Sequence, residues 1–231
     1  RAEAFFSGLG GWRRYVASFG AGAFMVAAMP PYGFFPAVFI SIPVLFWLVA
    51  AARGAGSAFL TGWIFGCGYF IVGLYWLGIA FKAFFSHAMW MFPVSIIGIP
   101  VYIALYYGFA ALLAWPFRRA RTHYALMFCA ILFWAEYLRG HYLTNFPWNH
   151  LGYAWHHVLP VLQSAAWFGI YGLTLFTLLW AAAPVMSRRA ATGILATLFF
   201  ILGFGMTHLQ LNPARDTPHL VRIVQPNISQ A

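Results

Sequence analysis

The sequence predicts an all-α, multi-pass membrane helix bundle, and three observations carry that prediction. Apolar residues make up 63% of the 231 residues and charged residues 7%, against roughly half and a quarter in an average soluble domain. Aromatic residues reach 21%, and Trp and Tyr favour the headgroup level of a bilayer. Long uncharged runs alternate with short basic clusters. We therefore expect lipid, not water, to cover the outer face of the bundle.

The uncharged runs divide into about seven spans, because one crossing needs about 20 apolar residues. The run between Arg14 and Arg53 is too long for one span, and a Pro-Pro-Tyr-Gly turn at residues 30–33 divides it in two. Pro93 and Pro100 are expected to kink the fourth span. The five remaining spans are placed at residues 54–81, 89–117, 123–137, 158–186 and 190–208.

The basic residues predict the orientation, because short cytoplasmic loops carry an excess of Lys and Arg. With the N-terminus in the cytoplasm, the inner loops hold Arg1, Arg13, Arg14, Arg53, Arg118, Arg119, Arg121, Arg188 and Arg189. The outer side holds Lys82, Arg139, Arg215 and Arg222, and an odd number of spans places the C-terminal end outside. Because these charges lie in loop clusters and not along one face, the net charge of +10 does not predict nucleic-acid binding.

Small residues recur every four positions in the third span, at Gly54, Ala58, Gly62 and Gly66. They share one helix face and would let a neighbouring backbone approach closely, which favours helix association in lipid. A Gly-rich helix also contains such spacing by chance. Either way the predicted role is assembly.

The end of the chain changes character after the bundle at residues 1–208. Residues 209–218 are polar and Pro-rich, as in a linker. Residues 219–231 contain a β-branched run (HLVRIVQPNI) that predicts one strand. Because a lone strand is not stable in water, we expect this one to open a second domain, with the chain ending just after that domain begins.

Glu136 and Arg139 are the first candidates for a functional role. They are spaced to pair on one helix face, and ionisable groups within or near a membrane are functional candidates by default. The alternative is a structural ion pair that anchors the end of the helix. The sequence leaves both open.

The loop at residues 140–160 is rich in aromatic and polar residues and contains His141, His150, His156 and His157. The histidine spacing matches no compact metal site, and no Cys or carboxylate completes a ligand set. We therefore expect no metal or other cofactor. The loop is interpreted as an interfacial segment that meets lipid headgroups or a neighbouring domain.

Cys67 and Cys129 lie inside apolar runs and are expected to be core residues, because burial suppresses the reactive thiolate. Lys82 lies in an aromatic outer loop, where it either contacts lipid phosphate or extends to the interface. Considered alone, these residues show no catalytic constellation.

Four segments, taken together and in order, carry a family resemblance. The first is residues 29–36 (MPPYGFFP) and the second is residues 73–76 (GLYW). The third is a composite of residues 134–140 (WAEYLRG), 145–148 (NFPW), 151–153 (LGY), 163 and 169–172 (GIYG). The fourth is residues 224–228 (VQPNI). In these segments the chain resembles the N-terminal membrane half of bacterial apolipoprotein N-acyltransferases. The resemblance covers essentially the whole chain, and the last segment is similar to the opening strand of the family's nitrilase-like domain.

The resemblance implies transfer of an acyl chain from a phospholipid to the N-terminal amine of a diacylglyceryl-cysteine apolipoprotein. In the family this proceeds through a thioester on a cysteine, with a glutamate base and a lysine oxyanion partner, all in the nitrilase-like domain. Neither cysteine here matches that nucleophile, so the 231-residue chain alone is expected to be inactive. Pro226 stands where many relatives have Gly, which is a minor departure.

The resemblance further implies a bacterial inner-membrane protein, expected to be monomeric, whose helices hold the exterior domain at the outer leaflet. We expect six residues to support the mouth through which lipid enters: Glu136, Arg139, Phe146, Pro147, Trp148 and Tyr153. Two alternatives remain at this point: a membrane anchor of a lipid-linked mannosyl transfer enzyme, and a transporter. Scarce intramembrane charge and the lack of an evident inverted repeat argue against the transporter.

Overall fold

The computed structural model describes residues 1–84, 86–142 and 145–213, and that part of the chain is helical with no strand. Its α-helices are α1 (Ala2–Ser7), α2 (Gly11–Met25), α3 (Pro36–Ala50), α4 (Ala55–Gly73), α5 (Trp76–Phe84), α6 (Ile99–Ala114), α7 (Arg121–His141), α8 (Leu159–Leu162), α9 (Ala165–Ala181) and α10 (Arg188–Leu211). The predicted all-helical class is confirmed for these residues. The strand predicted at residues 219–231 lies outside them.

Short tight-helix segments connect or extend these helices. The 3₁₀ segments are Val26–Ala28, Ser86–Met91, Trp115–Phe117, Leu151–Trp155 and Ala183–Val185, and a π-helical turn at Val94–Gly98 leads into α6. Pro93 precedes this turn and Pro100 lies in the first turn of α6. A missing backbone N–H is tolerated at such positions, so both predicted kink sites coincide with a change of helix type.

A long helix occupies each of the seven predicted positions, at α2, α3, α4, α6, α7, α9 and α10. By length and hydropathy, three helical stretches of the described chain are long and apolar enough to cross a membrane: Ala55–Gly73, Met89–Phe117 and Arg188–Leu211. α3 and α9 are apolar but shorter. The chain is thus a multi-helix protein with membrane-spanning capacity.

Two predicted helix ends are wrong. The span predicted at residues 54–81 is broken, because α4 ends at Gly73 and a separate α5 begins at Trp76. At the break, Gly73 packs so closely on the Asn149 side chain that a Cβ there would overlap it. The span predicted at residues 123–137 continues to His141, because Glu136 and Arg139 neutralise each other inside the helix instead of ending it.

Two further boundaries differ. The predicted span at residues 158–186 is divided into α8 and α9, and α9 itself bends at Gly169, which has φ 64° and ψ −175°. Only glycine adopts that backbone conformation at low cost. The last helix continues to Leu211, past the boundary predicted at residue 208.

α2 and α4 run parallel and in close contact. Arg14 donates to Ser57 Oγ at 3.0 Å, and Ser18 Oγ donates to the Thr61 carbonyl at 2.7 Å. One turn later, Gly22 lies against the backbone of Phe65. The same sequence offset recurs at all three contacts, so the two helices remain in register.

The small-residue face of α4 packs against α6, as predicted from the spacing. Gly62 lies against the Tyr107 carbonyl and the Ala111 methyl group, and Gly66 lies against Ala104. Ala58 is fully buried. Gly54 is the exception, because it caps the helix and a Cβ there would meet no atom within 4 Å.

Most arginines of the described residues lie at one end of the bundle, called the basic end, which contains Arg13, Arg14, Arg53, Arg118, Arg119, Arg121, Arg188 and Arg189. Three hydrogen bonds between different segments of the chain locate this end. Arg14 donates to the Ala51 carbonyl at 2.8 Å and Trp115 Nε1 to the Ala52 carbonyl at 3.1 Å. The amide of Ser187 donates to Thr122 Oγ1 at 2.9 Å. The opposite end, called the loop end, consists of residues 26–35, 74–84, 86–98 and 145–164.

Candidate functional site

A cleft of about 700 Å³ opens at the loop end. It brings together three of the four sequence segments singled out above, although they lie far apart along the chain. Within the part of the chain that the structure describes, no charged side chain lines it. The lining residues are Val26, Met29, Pro30, Pro31, Tyr32, Gly73, Tyr75, Trp76, Pro147, Trp148, Asn149 and Tyr153.

The first wall is the proline turn between α2 and α3. The Met29 carbonyl accepts from the amides of Tyr32, at 3.0 Å, and Gly33, at 3.2 Å. Gly33 has φ 68° and its Cα faces the ring of His157, so a side chain there would meet both strain and overlap. The turn places Tyr32, 63% exposed, at the edge of the cleft.

The second wall is aromatic. The rings of Trp76 and Trp148 lie 6.1 Å apart, and Phe146 packs on Trp148 at 4.8 Å. Trp148 keeps 48% of its surface exposed and Tyr153 39%. Rings with an apolar body and a polar tip suit a site at the boundary between hydrocarbon and water.

Arg139 holds the loop that carries Trp148. Its Nη1 atom donates to the carbonyls of Phe146, at 2.6 Å, and Trp148, at 2.7 Å, while its own carbonyl accepts from the Phe146 amide at 3.0 Å. Asn145 and Asn149 flank this segment with φ 46° and 58°. Asn tolerates this left-handed conformation better than most residues do, so the loop turns back at both ends.

A buried cluster stands behind the loop. Arg139 Nη2 lies 2.6 Å from Glu136 Oε2, and His150 Nδ1 lies 2.7 Å from the same oxygen. The three side chains are at most 1% exposed. Because Nδ1 faces a carboxylate oxygen, we assign the ring proton to that nitrogen. A buried charge pair requires such additional hydrogen bonds to offset its desolvation.

Two further helices fix the same loop. The Tyr69 hydroxyl of α4 donates to the Asn149 carbonyl at 2.7 Å. Tyr171 of α9 packs edge-on against His150, with ring centroids 4.8 Å apart, and closely approaches Gly140. The segment from Asn145 to His150 is thus held from α4, α7 and α9.

The structure separates the six residues predicted at the mouth into two groups. Pro147, Trp148 and Tyr153 line the cleft. Phe146 is half-buried against Trp148, and Glu136 and Arg139 lie wholly inside the protein, behind the loop. The predicted pairing of Glu136 with Arg139 is confirmed.

Sequence reasoning missed His150, Asn149 and Tyr69. The prediction that the loop histidines lie at the interface is wrong for His150, which is fully buried. Its partner Glu136 is 14 residues away, and Tyr69 is 80 residues from the carbonyl it binds. Patterns of neighbouring residues in the sequence do not predict contacts between residues so far apart along the chain.

The described lining of the cleft is mainly aromatic and apolar. No Cys, Ser or acidic side chain appears among its described lining residues.

Cys129 is fully buried in α7, as predicted, and Cys67 is half-buried in α4. Lys82 is solvent-exposed on α5. Within the described ranges, no group of three His, Cys, Asp or Glu side chains is placed to hold a metal ion.

Comparison with known proteins points to the same family that the sequence segments lining the cleft resemble. The family model described as "Apolipoprotein N-acyltransferase N-terminal domain" matches residues 21–183. The apolipoprotein N-acyltransferase of Brucella suis biovar 1 is 39% identical over 244 residues, which cover 96% of this chain and 45% of that protein. That of Rhodopseudomonas palustris is 37% identical over 239 residues, covering 95% and 44% respectively. The chain therefore spans somewhat less than half the length of these relatives.

Proposed function

The chain belongs to the apolipoprotein N-acyltransferase family, and from that premise we propose that it is the membrane portion of an acyltransferase in lipoprotein maturation. The whole enzyme moves a fatty acyl chain from a phospholipid to the N-terminal amine of a diacylglyceryl-cysteine apolipoprotein. The observation that carries the proposal is the match over residues 21–183, which contain every residue of the cleft. The names of the relatives favour acyl transfer over the mannosyl transfer and transport alternatives.

In this proposal the seven long helices cross the bacterial inner membrane with the basic end in the cytoplasm. The concentration of arginines at one end supports that orientation. The apolar character of three long helical stretches supports the crossing itself. The N-terminus then lies in the cytoplasm, and α10 leads out of the membrane at the loop end. We further propose that the protein acts as a monomer.

The proposed division of the chain places the helix bundle in residues 1–208, a linker in 209–218 and the first strand of a nitrilase-like domain in 219–231. The chemistry is assigned to that domain of the whole protein. The absence of a nucleophile among the described cleft residues supports this division, because a surface that only binds can present and orient a lipid. Residues 1–231 alone are expected to be inactive.

The cleft is proposed to receive the lipid from the side, at the outer leaflet. Pro147, Trp148 and Tyr153 contact it, and Phe146 supports Trp148 from behind. Glu136 and Arg139 hold the loop without touching the lipid. Trp76 and Trp148 contact each other in a tilted pair, with ring centroids 6.1 Å apart, and form an apolar wall with polar edges, which matches the region where glycerol meets acyl chain.

The test uses the complete protein in phospholipid vesicles with isotope-labelled acyl chains and a diacylglyceryl-cysteine peptide. We expect labelled acyl peptide, detected by mass spectrometry. No labelled peptide, under conditions where the Brucella suis relative produces it, contradicts the proposal. A parallel reaction with a polyprenyl-phosphate sugar donor tests the glycosyl transfer alternative. Acylation by residues 1–231 alone would overturn the proposed division of the chain.

A further inference from the structure

His150 is a buried side chain to which the proposed acyl transfer assigns no role. It is 0% exposed and does not line the cleft. Its Nδ1 atom binds Glu136 Oε2 at 2.7 Å, and Tyr171 covers its ring. A polar ring held this way inside a membrane bundle stabilises its partner's orientation, because turning the carboxylate away would break the buried bonds that Oε2 makes to both His150 and Arg139.

The contact passes from His150 through Glu136 to Arg139. One oxygen, Glu136 Oε2, accepts from both partners, at 2.7 Å and 2.6 Å. That shared oxygen fixes the plane of the Arg139 guanidinium, whose other terminal nitrogen, Nη1, carries the loop. If the carboxylate turns, the guanidinium turns with it, since its donors have a fixed fork geometry.

The Arg139 guanidinium in turn determines the position of the Trp148 backbone. The Trp148 carbonyl accepts directly from Nη1 at 2.7 Å, and the ring of the same residue packs on Trp76 in the aromatic wall of the cleft. Glu136 and Arg139 lie on the rigid helix α7, while the 145–149 segment has no regular structure. The position of the aromatic wall of the cleft therefore depends on the buried cluster.

We propose that His150 is a positioning residue that sets the affinity of the cleft for a diacylglyceryl group, acting through Glu136 and Arg139. This inference rests on the proposed function. Both substrates in that function carry a diacylglyceryl group, the phospholipid as acyl donor and the apolipoprotein as acceptor. Because His150 acts on the wall of the cleft and not on reacting atoms, its loss should raise KM while leaving kcat nearly unchanged.

The test compares His150→Asn with His150→Gln and His150→Ala in the complete enzyme. An Asn side chain places its amide N–H near the position of Nδ1 and can donate to Glu136, whereas Gln extends past that position and Ala donates nothing. Tyr124→Phe is the matched control. It removes another buried hydrogen bond, 2.8 Å to the Phe46 carbonyl, far from the cleft.

The enzymes are assayed in mixed micelles, varying the phospholipid at fixed acceptor peptide and then the reverse. We expect His150→Ala and His150→Gln to raise at least one KM by roughly tenfold, since a displacement of about 1 Å far from the chemistry can cost as much as about a hundredfold. His150→Asn should remain near the parent value. The KM that rises identifies which diacylglyceryl substrate the cleft holds.

Hydrogen exchange of residues 145–153 gives a readout that does not depend on activity, with faster exchange in the Gln and Ala variants than in the Asn variant. A lower apparent kcat at unchanged KM would overturn the inference, as that pattern reflects only a loss of folded enzyme. An equal KM change in the Asn and Gln variants would also overturn it. An inactive parent enzyme instead contradicts the proposed function.

Discussion

The Nη2 atom of Arg139 lies 2.6 Å from the Glu136 carboxylate, one helical turn earlier on α7, and solvent reaches neither side chain. The chain contains a second ion pair of nearly equal length, between Arg121 and Glu3 at 2.7 Å, with both side chains about half exposed. The two pairs differ in burial and hardly at all in contact distance. They therefore form a natural comparison.

Glu136→Gln should destabilise the complete protein by about 3–5 kcal/mol, because it leaves the Arg139 charge buried without its counter-charge. Glu3→Gln should cost no more than about 1 kcal/mol, as exposed pairs contribute little. Thermal unfolding in detergent, followed by circular dichroism, measures both. Similar shifts in the two variants would show that burial does not govern the Glu136 pair.

Gly62→Ala should loosen the contact between α4 and α6. The new methyl group would overlap the Tyr107 carbonyl, and overpacking of this kind costs about 1–3 kcal/mol. Gly193→Ala is the control, because a Cβ there meets nothing within 4 Å. The unfolding temperature should fall for the first variant only; an unchanged value for Gly62→Ala would mean that the helices can move apart freely.

Gly169→Ala tests backbone strain without steric overlap. The residue has φ 64° and ψ −175°, yet its Cβ position is empty out to 4 Å. An Ala in that conformation should cost about 1–3 kcal/mol, whereas Gly203→Ala in the regular helix α10 should stabilise by a few tenths to about 1 kcal/mol. Opposite signs in the unfolding temperature are expected, and a stabilising Gly169→Ala would contradict the bend in α9.

Trp148→Ala should lower acyl transfer by the complete enzyme by roughly tenfold, since losing an aromatic contact of about 1.5 kcal/mol corresponds to that factor. Trp12→Ala is the control: Trp12 is 70% exposed and begins α2 at the basic end. Initial rates with a labelled phospholipid donor decide the outcome. Unchanged transfer in Trp148→Ala would remove this residue from the proposed mouth.

The proposed orientation predicts opposite labelling at the two ends of α10. Arg189→Cys should react with a membrane-impermeant maleimide only after cells are permeabilised, and Asn212→Cys should react in intact cells. Cys67 and Cys129 are replaced by Ala in both, and the same protein without the new cysteine measures the background labelling of the cysteine assigned to the nitrilase-like domain. Labelling in the reverse pattern would invert the topology, and equal labelling of both would show that α10 does not cross the membrane.

Sequence reasoning located the helices well, because apolar length and proline position are local properties of the chain. The family resemblance also singled out Pro147, Trp148 and Tyr153, which line the cleft; their role at a lipid entrance stays a prediction. Sequence reasoning failed where helix ends depend on tertiary contact. α4 stops at Gly73 against Asn149, more than 70 residues later, and α7 continues through Glu136 because that charge finds partners inside the protein.

The buried cluster shows the same limit. The spacing of Glu136 and Arg139 was sufficient to predict their pairing, but nothing in the spacing assigns a third partner. His150 enters from a loop that α7, α4 and α9 hold together. Its role follows only once those three helices are assembled.

The charges of α7 also bear on how the protein is made. A lone Glu or Arg in the middle of a span opposes insertion by about 2.5–3.5 kcal/mol. Glu136 and Arg139 are one turn apart and paired, so in the proposed topology, where α7 crosses the membrane, these two charges would enter the bilayer as a neutral pair. Tyr69 is synthesised long before the loop that it anchors, whereas Tyr171 follows it. The cleft is therefore completed late in biogenesis, once α9 has joined the helices inserted before it.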